Sequence, residues 1–100
     1  MAIDELQKRV LFVHRLVFGE TSLADRLEDI AEEADEVYNF KNEQNLNEEL
    51  GDLLAACFNL AEERGLNVEE LILQNIAKMT RRHNSKHYEN ECNDDFTHNG

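Results

Sequence analysis

Apolar residues recur along this chain at the three- and four-residue spacing of amphipathic helices, in four successive blocks. Leu6, Val10, Val13 and Val17, widened by Leu11 and Phe18, mark a first helix from about Asp4 to Phe18. Asp4 with Gln7 forms a capping-box pair at its start, and Gly19 is a good terminator. Leu23, Leu27, Ile30, Ala34 and Val37 mark a second helix, opened by Thr21 or Ser22 with Asp25 as box partner and closed by Tyr38 and Phe40. Leu46, Leu50, Leu53, Cys57 and Leu60 mark a third, capped by Asn45 with Glu48 or by Asn47, and ended by Gly65. Val68, Leu71, Ile72, Ile76 and Met79 mark a fourth, opened by Asn67 with Glu70. From Asn84 the periodicity is lost, and no strand pattern or internal repeat is present. The pattern predicts an all-α, antiparallel bundle of about four helices over residues 1–83, followed by a polar, flexible tail over 84–100.

Composition sharpens this. The chain has 100 residues, no proline and 4 glycines, so long helices meet few breakers. An apolar fraction of 41% supports only a small core, and an all-helical chain of this size is expected to complete its core by oligomerising. The net charge of −12 argues against a nucleic-acid partner, which would need a basic face. No apolar run reaches the length that spans a bilayer, and the charged first residues do not read as a signal peptide. Cys57 lies on the apolar stripe of the third helix and is expected in the core, not in a disulfide. The expectation is a cytoplasmic protein of a reducing compartment, with no membrane partner.

The acid is concentrated where two helices should meet. Residues 20 to 52 hold 12 Asp or Glu against Arg26 and Lys41. Glu33 and Glu36 form a pair three apart, which share a helix face, as do Glu49 and Asp52. Glu36 and Glu49 are equidistant from a hairpin midpoint near residues 42 and 43, and so are Glu33 and Asp52. In an antiparallel pair such residues sit at one level, so four carboxylates should face one another. Their mutual repulsion is relieved by a divalent cation. Oxygen donors without His or Cys point to Mg²⁺, or Mn²⁺ in its place. Glu28, Asp29 and Asp35 look like solvated surface.

Other residues are weaker candidates. His14 borders the first stripe and reads as a packed or surface histidine, with substrate contact as its functional alternative. Tyr38 and Phe40 pack under the turn or stack on a base. Gly51 is either a site of close approach or a glycine at a helix crossing. Asn75, Lys78, Arg81 and Arg82 form a basic edge, serving either the helix dipole or phosphate binding. His83, His87 and Cys92 are metal-ligating types, in a stretch with too little pattern to hold a transition metal.

Glu32-Glu33-Ala34-Asp35-Glu36, followed after twelve residues by Glu49-Leu50-Gly51-Asp52, resembles the EExxE and ExxD blocks of the MazG-like, all-α nucleoside triphosphate pyrophosphohydrolases. Asn75, Lys78, Arg81 and Arg82 resemble the run on that family's following helix. The resemblance covers roughly residues 5–83. It implies a homodimer or tetramer that cleaves a nucleoside triphosphate between the α and β phosphorus atoms, with Mg²⁺, giving the monophosphate and pyrophosphate. Glu33, Glu36, Glu49 and Asp52 would hold the metal, and Glu32 would activate water or help hold a second ion. Lys78 and Arg82, with Arg81 and Asn75, would contact the phosphates. The competing expectation is a non-catalytic helical interaction or regulatory module related to the same family.

Overall fold

The computed structural model describes residues 1–93, with side chains described for residues 1–85. Four helices follow one another: α1 (Ile3–Phe18), α2 (Leu23–Tyr38), α3 (Glu43–Glu63) and α4 (Val68–Asn93). No strand occurs among the described residues, and none of the described helices is long and apolar enough to cross a membrane. The chain divides into two compact units, Met1–Val68 and the stretch from Glu69 onward. In the first, α3 packs against both α2 and α1.

Local chemistry explains the helix ends. The Ser22 hydroxyl accepts from the Asp25 backbone N–H, and the Asp25 carboxylate accepts from the Ser22 N–H, completing the expected box. The box expected at Asp4 and Gln7 does not form, because both side chains are used at long range. Asn67 Nδ2 donates to Asp4 Oδ1 at 3.0 Å. Gln7 Nε2 donates to the Leu66 carbonyl at 2.6 Å, and Gln7 Oε1 accepts from the Val68 N–H at 3.0 Å. Ala2 takes the N-cap position of α1 without a side-chain bond. Helix α3 starts earlier than expected, since Asn42 caps it by accepting from the Asn45 N–H, while Asn45 accepts from the Lys41 N–H. Gly65, at φ +70°, ends α3 in a Schellman arrangement. Its N–H donates to the Glu62 carbonyl, and the Leu66 N–H donates to that of Ala61.

The inward faces differ from the apolar stripes. On α1 the enclosed positions are Gln7, Val10, Leu11 and His14, while Leu6, Val13, Val17 and Phe18 are exposed. On α2 they are Arg26, Asp29, Ile30, Glu33 and Val37, while Leu23, Leu27 and Ala34 are exposed. On α3, Ala56, Asn59 and Ala61 are buried and Leu46, Leu53 and Leu60 half-buried, but Leu50 and Cys57 are exposed. Cys57 is therefore not a core residue of the single chain. The small and polar side chains face inward and several larger apolar ones outward, so periodicity located the helices without choosing their inner face.

Helix α4 also continues to Asn93, past the point where periodicity ends. Loss of an apolar stripe removes the reason to pack, not the ability to stay helical, and no glycine or proline interrupts residues 66–93. The side chains of His87 and Cys92 lie outside the described residues, as does the stretch from Asp94 onward.

Candidate metal centre and adjoining cavity

The connection over residues 39–42 is short enough to fold α2 back along α3 as an αα-hairpin. Glu33 and Glu36 on α2 thereby meet Glu49 and Asp52 on α3. One carboxylate oxygen from each lies within 4.8 Å of the others, the only such group of metal-ligating side chains among the described residues. Glu33 and Glu49 are half-buried, Glu36 and Asp52 exposed. Glu33 Oε2 and Glu49 Oε2 are enclosed and have no hydrogen-bond partner, whereas Asn45 Nδ2 donates to Glu49 Oε1 at 3.2 Å.

The crowding shows in the acidities. Burial, then the charge of Asp52, raises the pKa of Glu33 above its ordinary value, partly offset by its contact with Glu36. The shared hydrogen bond with Glu36 leads the upward shift of Glu49, followed by burial and the charge of Glu36. Four converging hard oxygen donors, two of them with an orphaned oxygen, suit a divalent cation. Glu32 is exposed on α2 and stands outside this quartet.

A cavity of about 640 Å³ opens beside the quartet and shares Glu33 and Asp52 with it. Its other walls include His14 and Phe18 of α1, with Ala56 and Asn59 of α3. The His14 and Phe18 rings lie 4.7 Å apart at 38°. An Arg26 guanidinium N–H meets His14 Nε2, which must accept, so His14 is the neutral tautomer with its proton on Nδ1. Burial first, and the Arg26 charge second, lower its pKa.

Arg26 is 1% exposed. It donates to Thr21 Oγ1 at 2.7 Å and pairs with Glu63 at 3.1 Å and Asp29 at 3.3 Å. Periodicity alone gave no role to Arg26, Glu63 or Asn59, and Thr21 was expected only as an alternative cap of α2. Two signals were available. Arg26 is in helical phase with Ile30, Glu33 and Val37, and Asn59 lies two turns beyond Asp52.

Several expectations are corrected. Asp29 is half-buried and pairs with Arg26, and Glu28, although exposed as expected, also lines the cavity. Tyr38, 84% exposed, and Phe40, 48% exposed, do not pack under the turn and do not line the cavity. Among the described residues nothing lies within 4 Å of where a Cβ on Gly51 would be, so neither α1 nor α2 crosses α3 there. Asn75, Lys78, Arg81 and Arg82 are exposed on α4, in the second unit, and the first, second and fourth of them share a face by spacing.

A family model, the MazG nucleotide pyrophosphohydrolase domain, matches residues 19–87. The chain belongs to that family. The MazG match takes in the whole quartet and the basic run of α4, and it starts just after α1, which supplies His14 and Phe18 to the cavity. No curated protein and no solved structure matches the chain.

Proposed function

We propose that this MazG domain is a Mg²⁺-dependent pyrophosphohydrolase. It would cleave ribo- or deoxyribonucleoside triphosphates between the α and β phosphates, giving the monophosphate and pyrophosphate. The observation that carries the reading is the quartet itself, in which Glu33 and Glu49 each hold an enclosed oxygen without a partner.

Glu33, Glu36, Glu49 and Asp52 would hold the metal, with Mn²⁺ able to replace Mg²⁺. When bound, the cation supplies charge neutralisation and orients a water for in-line displacement. Glu32 would accept the proton of that water, a role that fits its place beside the quartet in sequence. Lys78 and Arg82, with Asn75 and Arg81, would neutralise the outer phosphates, from the same chain or from a neighbouring one. The nucleoside would occupy the cavity beside the quartet, and the neutral His14 would contact it there. The exposed apolar face of α1 supports a homodimer or tetramer as the working state.

Pyrophosphate and orthophosphate release, followed across the common NTPs and dNTPs with Mg²⁺, tests the reading. Pyrophosphate release that disappears with a chelator and in Glu36→Gln, but survives in the exposed control Glu20→Gln, is the expected result. An unchanged rate in Glu36→Gln sinks the metal assignment. Absence of hydrolysis with every nucleotide, in Mg²⁺ and in Mn²⁺, favours the non-catalytic helical module.

A further inference from the structure

Asn59 is 3% exposed, and its side-chain oxygen Oδ1 is enclosed with no hydrogen-bond partner among the described residues. A buried amide oxygen left unpaired costs free energy, so the site is incomplete as it stands. The nearby buried cation of the same unit is already committed. The guanidinium of Arg26 is engaged by Thr21, Asp29, Glu63 and His14. Ala55 and Ala56, which line the same cavity as Asn59, offer it only methyl groups.

Asn59 also stands at a telling distance from the quartet. Seven residues of helix separate it from Asp52, two turns that keep one face and rise about 10 Å. That span is comparable to the distance from the α-phosphate of a nucleotide to the hydrogen-bonding edge of its base. We propose that Asn59 is the specificity-determining residue of this site, reading the donor–acceptor edge of the nucleobase with its amide while the phosphates lie at the carboxylate end of the same cavity.

The chemistry is matched. An amide carries one acceptor and one donor group side by side, and a half-turn about its last bond exchanges them. It complements a base edge that also carries a donor beside an acceptor, and an edge lacking either leaves the amide unpaired again. An apolar replacement of similar size removes both the reading and the unpaired group.

The inference rests on the nucleotide reading of the site, and its test separates the two. Relative kcat/KM across the nucleotide panel is measured for wild type, Asn59→Leu and Asn59→Asp, alongside melting temperature with and without Mg²⁺. Wild type should show a base preference. Asn59→Leu should lose roughly tenfold or more on the preferred base, chiefly through KM, and flatten the ranking. Its fold and its Mg²⁺-induced thermal shift should be retained. Asn59→Asp, which has no donor, should change the order of preference. A folded Asn59→Leu that keeps the wild-type ranking overturns the proposal. So does a wild type that treats all bases alike. Should Asn59→Leu not fold, an unchanged ranking in Asn59→Asp overturns it. Should wild type hydrolyse nothing, the hydrolase reading fails by itself. The base site is then read from thermal shifts with nucleoside monophosphates, where equal shifts in wild type and variant overturn it.

Discussion

Arg26 is enclosed among Thr21, Asp29, Glu63 and His14, so removing it leaves the largely buried Glu63 carboxylate with only its longer contacts, to Arg15 at 3.7 Å and from the Thr21 hydroxyl at 3.5 Å. Arg26→Met is predicted to cost about 3–5 kcal/mol, and Arg26→Met with Glu63→Leu to recover much of that, as read by urea denaturation. A double variant no better than the single one contradicts this. The quartet behaves in the opposite sense. Glu33 has a raised pKa, so its ionisation in the apo protein opposes folding. The stability associated with its protonated form is full below the unfolded value of 4.5 and is lost as pH rises through the raised folded value. Glu33→Gln should therefore melt higher than wild type at neutral pH without metal, with the gap closing as pH falls below that unfolded value. With Mg²⁺ the order should reverse, and turnover should fall roughly a hundredfold or more. A gap that persists in acid, or an unchanged Mg²⁺ shift, rules this out. The quartet was legible in the sequence because equal distances from one turn become equal heights in a hairpin. Arg26 and Asn59 were not, because a stripe read from hydrophobicity discards polar residues before asking whether they point inward.

Among the elements, α3 carries the clearest test. Gly51 sits inside that helix, with nothing within 4 Å of a built Cβ. Gly51→Ala should raise stability by about 1 kcal/mol in chemical denaturation. A loss instead would show that another molecule approaches the backbone at that point. Ser22 both gives and receives in the box that opens α2, and Ser22→Ala should cost about 1 kcal/mol. Helix positions were legible because caps and glycines punctuate them, and the Ser22 box and the Gly65 stop appear where the sequence put them. The boxes expected at Asp4 and at Asn45 show the limit. A polar side chain at a helix start can satisfy a distant backbone group or the turn before it, and spacing alone does not distinguish these uses.

For the whole molecule, Phe12 (64% exposed), Leu16 (71%) and Phe18 (68%) sit on one short helix, more apolar surface than an isolated chain comfortably presents to water. Sedimentation at micromolar concentration should find at least a dimer, and Leu16→Asp should shift it toward monomer. A well-folded wild-type monomer excludes the assembly. The inside-out distribution of apolar side chains is also why the inner faces were misread. The sequence encodes every surface that becomes covered, whether by the same chain or by another, and hydrophobicity does not say which.

Gln7 has a consequence for the order in which the molecule forms. Its amide joins α1 to Leu66 and Val68 across 59 and 61 residues, closing a loop that contains the whole α2–α3 hairpin. The hairpin needs only neighbours in sequence, so its loop closes early and cheaply, while the Gln7 clasp must wait for both ends of the unit. Gln7→Ala should accordingly leave the refolding limb of a chevron almost unchanged and speed unfolding roughly tenfold. A variant that slows refolding instead would place the clasp in the nucleus. If the clasp closes late, the carboxylates of α2 and α3 meet before the unit is shut, and an ion captured at that moment would speed the folding of the chain that keeps it.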